Sequence, residues 1–213
     1  MRIPIAGEGA PFIALPLVGT AAAAAFSVWW AAALLALLTI FLIQFFRDPD
    51  RTSAAPPECV LSPADGTILT VGDAPAGEAP ADLSRKVVVF MSVFNCHVNR
   101  APVSGRLADY VYVRGAKRVA FAEKASLENE QNRITLVSAG GSITFKQIAG
   151  ALARRVIFYP RVGDELARGQ RVGMIRFGSR CDLFLPDGAE VLVHPGDKVK
   201  AGQTGLARWP RGV

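Results

Sequence analysis

Ser179, His97 and Asp65 are the residues on which chemistry in this chain could rest. Ser179 closes the run Val172-Gly173-Met174-Ile175-Arg176-Phe177-Gly178-Ser179, an apolar strand pattern that ends at a flexible glycine. A serine so placed can turn its hydroxyl onto the preceding carbonyl and convert the peptide bond into an ester, from which elimination leaves a pyruvoyl group. Gly-Ser is also an ordinary turn pair, and Gly141-Ser142 is a second copy, so the dipeptide alone fits either reading. His97 lies in Asn95-Cys96-His97-Val98-Asn99-Arg100-Ala101-Pro102, where period-two alternation puts Asn95, His97 and Asn99 on one face. That face suits a catalytic cluster or a solvated strand edge equally. Asp65, in Ser62-Pro63-Ala64-Asp65-Gly66, is either an acid serving such a base or the start of an Asp-Gly turn. The second histidine, His194, precedes Pro195-Gly196 and reads as a turn residue. Widely separated histidines without paired carboxylates give no recognisable metal site, and no Gly-rich phosphate loop occurs.

These residues need a scaffold, and the sequence points to a β-rich one. Short apolar runs separated by turn residues cover Cys59-Leu61, Gly66-Val71, Lys86-Ser92, Gly105-Val113, Arg133-Ser138, Ser142-Gln147, Val172-Phe177, Cys181-Leu185 and Glu190-Val193. A helix is expected at Ala149-Ile157, and Ala120-Glu130 reads as partly helical or as an exposed loop. Gly163-Asp164-Glu165-Leu166-Ala167-Arg168-Gly169-Gln170 recurs 33 residues later as Gly196-Asp197-Lys198-Val199-Lys200-Ala201-Gly202-Gln203. Each copy holds tight glycine turns around a short connection. The repeat, with Pro102-Val103-Ser104-Gly105 leading into it, resembles the barrel-sandwich hybrid of lipoyl and biotinyl carriers, which speaks to fold and not to chemistry.

The chain begins differently. No charged residue occurs from Gly9 to Phe46, so residues 1–46 read as a membrane-anchoring helical segment. As one straight helix, Phe12–Phe46 would be about 50 Å long against a hydrocarbon core of ~30 Å. Two helices meeting near Gly19-Thr20 or Ser27, or one long tilted helix, both satisfy that length. Residues 47–58 form a polar, proline-bearing linker, and residues 59–213 the catalytic β-rich domain. Arg47, Arg51 and the basic remainder place that domain on the cytoplasmic side of the cell membrane. Three cysteines, Cys59, Cys96 and Cys181, without metal-type spacing fit a reducing compartment. A net charge of +6 beside a membrane segment points to anionic lipid as partner, not nucleic acid.

Taken in order, the apolar segment, Phe45-Phe46-Arg47-Asp48-Pro49-Asp50-Arg51, Ser62-Pro63-Ala64-Asp65-Gly66, Met91-Ser92 through His97-Val98-Asn99-Arg100-Ala101-Pro102, Lys124-Ala125-Ser126 with Asn129-Glu130, and Phe177-Gly178-Ser179-Arg180 closely resemble the short-form phosphatidylserine decarboxylase proenzymes. The resemblance covers nearly the whole chain. It implies self-cleavage between Gly178 and Ser179, giving a membrane-bound β chain of residues 1–178 and an α chain of residues 179–213. Ser179 would become a covalent pyruvoyl cofactor that forms a Schiff base with the amine of phosphatidylserine, and decarboxylation would yield phosphatidylethanolamine. The two chains would remain a heterodimer, because the repeat straddles the cut; higher oligomers are left open. Long-form relatives carry a His-x-x-His-x-Pro pattern. Here His97 matches the first histidine and Arg100 stands at the second, so the resemblance gives the base to His97, with Asp65 orienting or charging it, and leaves Arg100 and Asn99 as residues for substrate or maturation. The competing class is a membrane-anchored barrel-sandwich adaptor or carrier, but no long heptad hairpin and no Met-Lys-Met hairpin tip is present.

Overall fold

The computed structural model describes residues 4–75, 77–115, 129–150, 155–176 and 179–209. The chain divides into two compact units, one reaching to Asp50 and one starting at Arg51.

In the first unit, helix α1 (Ala10–Ala25) and helix α2 (Trp29–Phe45) pack on each other as a helical hairpin. The break falls at Ser27, one of the two places expected from sequence. α1 ends in a Schellman-type cap: Val28 N–H donates to the Ala23 carbonyl (2.8 Å) and Ser27 N–H to that of Ala24 (3.0 Å). Ser27 itself takes the left-handed conformation at φ 59°. The hydroxyls of Thr20 and Thr39 donate to the carbonyls of Pro16 and Leu35, each at 2.8 Å, so neither leaves an unsatisfied group in an apolar helix. Gly7–Ala25 is apolar and, at 19 residues, long enough to cross a membrane.

The second unit is mainly β. Its strands among the described residues are β1 (Cys59–Leu61), β2 (Gly66–Asp73), β3 (Arg85–Met91), β4 (Val98–Arg100), β5 (Gly105–Val113), β6 (Gln131–Ser138), β7 (Gly141–Ala149), β8 (Val156–Phe158), β9 (Glu165–Leu166), β10 (Arg171–Ile175), β11 (Ser179–Leu185), β12 (Glu190–Val191), β13 (Lys198–Val199) and β14 (Gly205–Arg208). Eight of them form one sheet in the order β13-β2-β3-β11-β7-β6-β5-β9, and two three-stranded sheets, β1-β14-β12 and β4-β10-β8, complete the domain. All pairings are antiparallel. Alternating Val, Ile, Leu and Phe from β3, β6, β7 and β11 fill one apolar core.

The helix expected over Ala149-Ile157 is not what its described ends form. Ala149 finishes β7 and Val156–Phe158 is β8; of the residues between, 151–154 lie outside the described set. Val156, Ile157 and Phe158 are β-branched or aromatic, and β8 satisfies its backbone by pairing with β10. Most of Ala120-Glu130, with Lys124-Ala125-Ser126, also lies outside the described residues, as do Phe177 and Gly178.

The sequence repeat is a structural one. Gly163 and Gly196 have φ of 98° and 97°, and their N–H groups donate to Leu107 and Ile68, each at 2.8 Å. Leu107 and Ile68 return the bond to the carbonyls of Asp164 (2.8 Å) and Asp197 (2.9 Å). Gly169 and Gly202 close the two turns on the carbonyls of Ala101 and Ser62, again at 2.8 Å. Residues 62–68 therefore play in one half the part that residues 101–107 play in the other. The halves abut at the paired glycines, where a Cβ on Gly202 would lie 3.4 Å from the Gly169 Cα.

Candidate active site

Ser179 is the first residue of β11, and register sets its neighbours: Met91 of β3 on one side and Ala149 of β7 on the other. Strand alternation sends Ser179, Cys181 and Leu183 into the core and Arg180, Asp182 and Phe184 to the opposite face. The Ser179 hydroxyl is wholly buried and donates to the Met91 thioether, Oγ to Sδ 3.2 Å. Among the described residues it makes no other side-chain hydrogen bond. Burial first, and the Asp182 carboxylate second, push the neighbouring Cys181 thiol well above its ordinary range, so it stays neutral and does not compete as a nucleophile.

Charge is kept on the other face of the sheet. Asp182 accepts from Arg180 (Nε to Oδ1 2.5 Å, Nη2 to Oδ2 2.9 Å) and lies 3.2 Å from the Lys86 ammonium, which also pairs with Glu78. The Phe184 ring sits between Lys86 and Lys146, whose Nζ atoms are 5.4 and 5.2 Å from its centroid. Burial holds the Lys146 ammonium below its ordinary pKa, against the opposing pull of Glu78 and Asp182.

His97 is wholly buried just before β4. Its Nδ1 lies 3.0 Å from the Asn95 carbonyl oxygen; a carbonyl only accepts, so Nδ1 carries the proton and the basic lone pair is on Nε2. Asn95 is fixed in turn, its Oδ1 accepting from the Ser92 N–H and hydroxyl, each at 2.8 Å. The His97 carbonyl accepts from Ile175 N–H at 3.2 Å, which ties the histidine to the end of β10, four residues before Ser179.

Asp65 faces elsewhere. Its carboxylate takes a two-pronged ion pair from Arg51, Nη2 to Oδ2 2.8 Å, and the Ala201 N–H donates to Oδ1 at 2.8 Å. Arg51 also donates to the Ala201 carbonyl at 2.9 Å, so both groups of one peptide are held. Among the described residues no hydrogen bond joins Asp65 to His97. The repeat explains part of this: at the equivalent place in the other half, Ser104 Oγ accepts from Arg168 N–H at 3.0 Å. What distinguishes the Asp65 half is the charge and its guanidinium partner.

Arg100 donates to the Gly169 carbonyl at 2.9 Å and lies across Gly202, where a Cβ would come within 2.6 Å of its Cδ. It holds the junction of the two repeats. Asn99 is wholly buried; its Nδ2 donates to the Pro63 carbonyl (3.2 Å) and approaches Met91 Sδ (3.9 Å), and its Oδ1 accepts from Gln147 (2.9 Å). Thus the structure brings Ser179 and Asn99 together on Met91, attaches His97 to the strand leading to Ser179, and puts Asp65 and Arg100 at the repeat turns. Arg51, Met91 and Gln147 were not singled out from sequence as site residues. Gln147 carried a signal, an amide at an inward position of an apolar alternating strand.

The phosphatidylserine decarboxylase family model matches residues 38–207. Among similar proteins, the phosphatidylserine decarboxylase proenzyme of Geotalea uraniireducens is 43% identical over 208 residues, covering 97% of each chain. That of Paraburkholderia xenovorans is 47% identical over 207 residues, covering 95% of this chain and 96% of its own. The proenzyme of Trichlorobacter lovleyi is 48% identical over 178 residues, covering 83% of this chain and 80% of its own. The order of motifs around Asp65, His97 and Ser179, the β scaffold that buries Ser179 and similarity along nearly the full length agree, and the chain belongs to the phosphatidylserine decarboxylase family.

Proposed function

We propose that this protein decarboxylates phosphatidylserine to phosphatidylethanolamine, using a pyruvoyl group that it makes from its own Ser179. The observation that carries the reading is the Ser179 hydroxyl at the head of a central strand, buried, held by a thioether and flanked by Ala149 and Cys181. Such a lining fits a small uncharged keto group. In maturation the Ser179 Oγ bonds to the carbonyl carbon of residue 178, the C–N bond breaks, and the Ser179 nitrogen gains a proton. Elimination then releases residue 178 as a carboxylate and leaves dehydroalanine, which water converts to pyruvoyl and ammonia. His97, with its basic lone pair on Nε2, is the proposed base and later the donor of a proton to the product carbon. Asp65 enters as a positioning carboxylate that, with Arg51, fixes the Ala201 turn. Arg100 and Asn99 hold β4, which His97 directly precedes. When bound, a pyruvoyl group supplies an electron sink for loss of carbon dioxide.

Cleavage at this point leaves β11, β12, β13 and β14 on the small chain. β11 lies between β3 and β7, β14 between β1 and β12, and β13 beside β2, which supports a heterodimer that stays assembled. The paired glycine turns support a barrel-sandwich-like arrangement. The apolar helices support a cell-membrane location, and Arg47, Arg51 and the basic remainder of the chain support a cytoplasmic side for the β domain. The test is release of carbon dioxide from vesicles containing phosphatidylserine. Wild-type protein should release it and run as two fragments on a denaturing gel, whereas Ser179→Ala should do neither. An active or cleaved Ser179→Ala protein would contradict the proposal.

A further inference from the structure

Three carboxamides cross the core in a single row. Tyr110 Oη donates to Asn132 Oδ1 (3.0 Å), Asn132 Nδ2 to Gln147 Oε1 (3.0 Å), and Gln147 Nε2 to Asn99 Oδ1 (2.9 Å). Asn99 spends one N–H on the Pro63 carbonyl and points the other at Met91 Sδ, the atom that accepts the Ser179 hydroxyl. Asn132, Gln147 and Asn99 are wholly buried. The row begins at Tyr110, whose ring stacks on Phe158 at 5.1 Å with 7° between planes.

Buried amides in an apolar core cost free energy unless each is satisfied, and here every member is oriented by the next. An amide neither yields nor takes a proton near neutral pH, so the row cannot move protons. What it can do is fix position. It links β5, β6, β7 and β4, the strand that holds Arg100 and that His97 directly precedes, and it ends on the sulfur beside Ser179. A thioether is a weak acceptor: it locates the hydroxyl without taking its proton and releases it at little cost when Oγ attacks.

On the reading of Ser179 given above, we infer that Met91 and the row Asn132–Gln147–Asn99 behind it are positioning residues for the self-cleavage step. Met91→Leu removes the acceptor at similar volume, and Gln147→Met removes the link between Asn132 and Asn99. Full-length protein made by cell-free synthesis into lipid nanodiscs is followed on a denaturing gel at several pH values. Each substitution should slow conversion of the full chain by about 10- to 100-fold, the scale of a small misplacement of a reacting atom. The pH midpoint should not move, because the base is untouched. The double variant should be no slower than the slower single one, as expected of residues acting as a unit. Placed in the Ser179→Ala chain, Met91→Leu should change the melting temperature by no more than about 3 °C, whereas Gln147→Met, which strands Asn132 Nδ2 and Asn99 Oδ1, should lower it by about 4–12 °C. Unchanged conversion in both single variants would overturn the inference. So would a loss of rate that follows a loss of melting temperature in both, which marks a merely structural role. Cleavage of the Ser179→Ala chain itself is a separate result and overturns the reading of Ser179 on which the inference rests.

Discussion

Removing Arg51 tests how the first residue of the β domain holds its most prominent carboxylate. Arg51 and Asp65 side chains are 8% and 9% exposed, so the pair is largely out of water. Arg51→Met keeps the stem but leaves Asp65 charged, buried and bound only by the Ala201 N–H, and it also strips the Ala201 carbonyl of its donor. Breaking a buried pair from one side costs about 3–5 kcal/mol, and the surviving Ala201 contact puts this case near about 3 kcal/mol. For a domain of this size that is a fall of about 6–12 °C in melting temperature. The assay is differential scanning calorimetry of the full chain in detergent, in the Ser179→Ala background so that one covalent species is present. Asp65→Leu on top of Arg51→Met removes the stranded charge and should recover about 2 kcal/mol of the loss. A drop of less than about 1 kcal/mol in Arg51→Met, the size found for exposed pairs, would refute the reasoning. A double variant no more stable than the single one would refute it equally.

Other expectations follow from individual contacts. His97→Gln should slow conversion of the full chain by about 100- to 10,000-fold, the range for loss of a general base, read as accumulated uncut protein on a denaturing gel. Gly202→Ala should cost about 1–3 kcal/mol by denaturant unfolding, since φ is +69° and the new Cβ would meet Arg100. Lys146 has a folded-state pKa below its unfolded value of 10.5, so between the two the unfolded chain binds more protons and stability rises with pH. Lys146→Met should remove that rise, measured as melting temperature against pH in the alkaline range.

The strand Arg133-Ser138 was legible because a buried face imposes period two on the sequence, Ile134 and Leu136 being buried and Arg133, Thr135 and Val137 less so. β9 and β13, of two residues each, have no period to read; only the glycine repeat around them gave a signal. The helix expected over Ala149-Ile157 shows the reverse error, since the alanines favour a helix locally while pairing of Ala149 with Ser179 and Ile157 with Met174 draws the described ends into sheets. At the site, Ser179 and His97 stood out by residue type and spacing. Their true neighbours did not, because contacts such as Ser179–Met91 and Asn99–Gln147 join positions far apart in the chain. Asp65 could be found as a motif but not assigned its partner, Arg51, which the sequence presents as a charge flanking the membrane segment.

Intact mass spectrometry of the purified protein reaches the central claim most directly. The account predicts a fragment spanning residues 179–213, lighter by one ammonia than the serine-terminated peptide and blocked to stepwise amino-terminal sequencing, together with a fragment ending at Gly178. A single species with the mass of the full 213-residue chain in an active preparation would contradict it, as would a small fragment that begins with an unmodified serine.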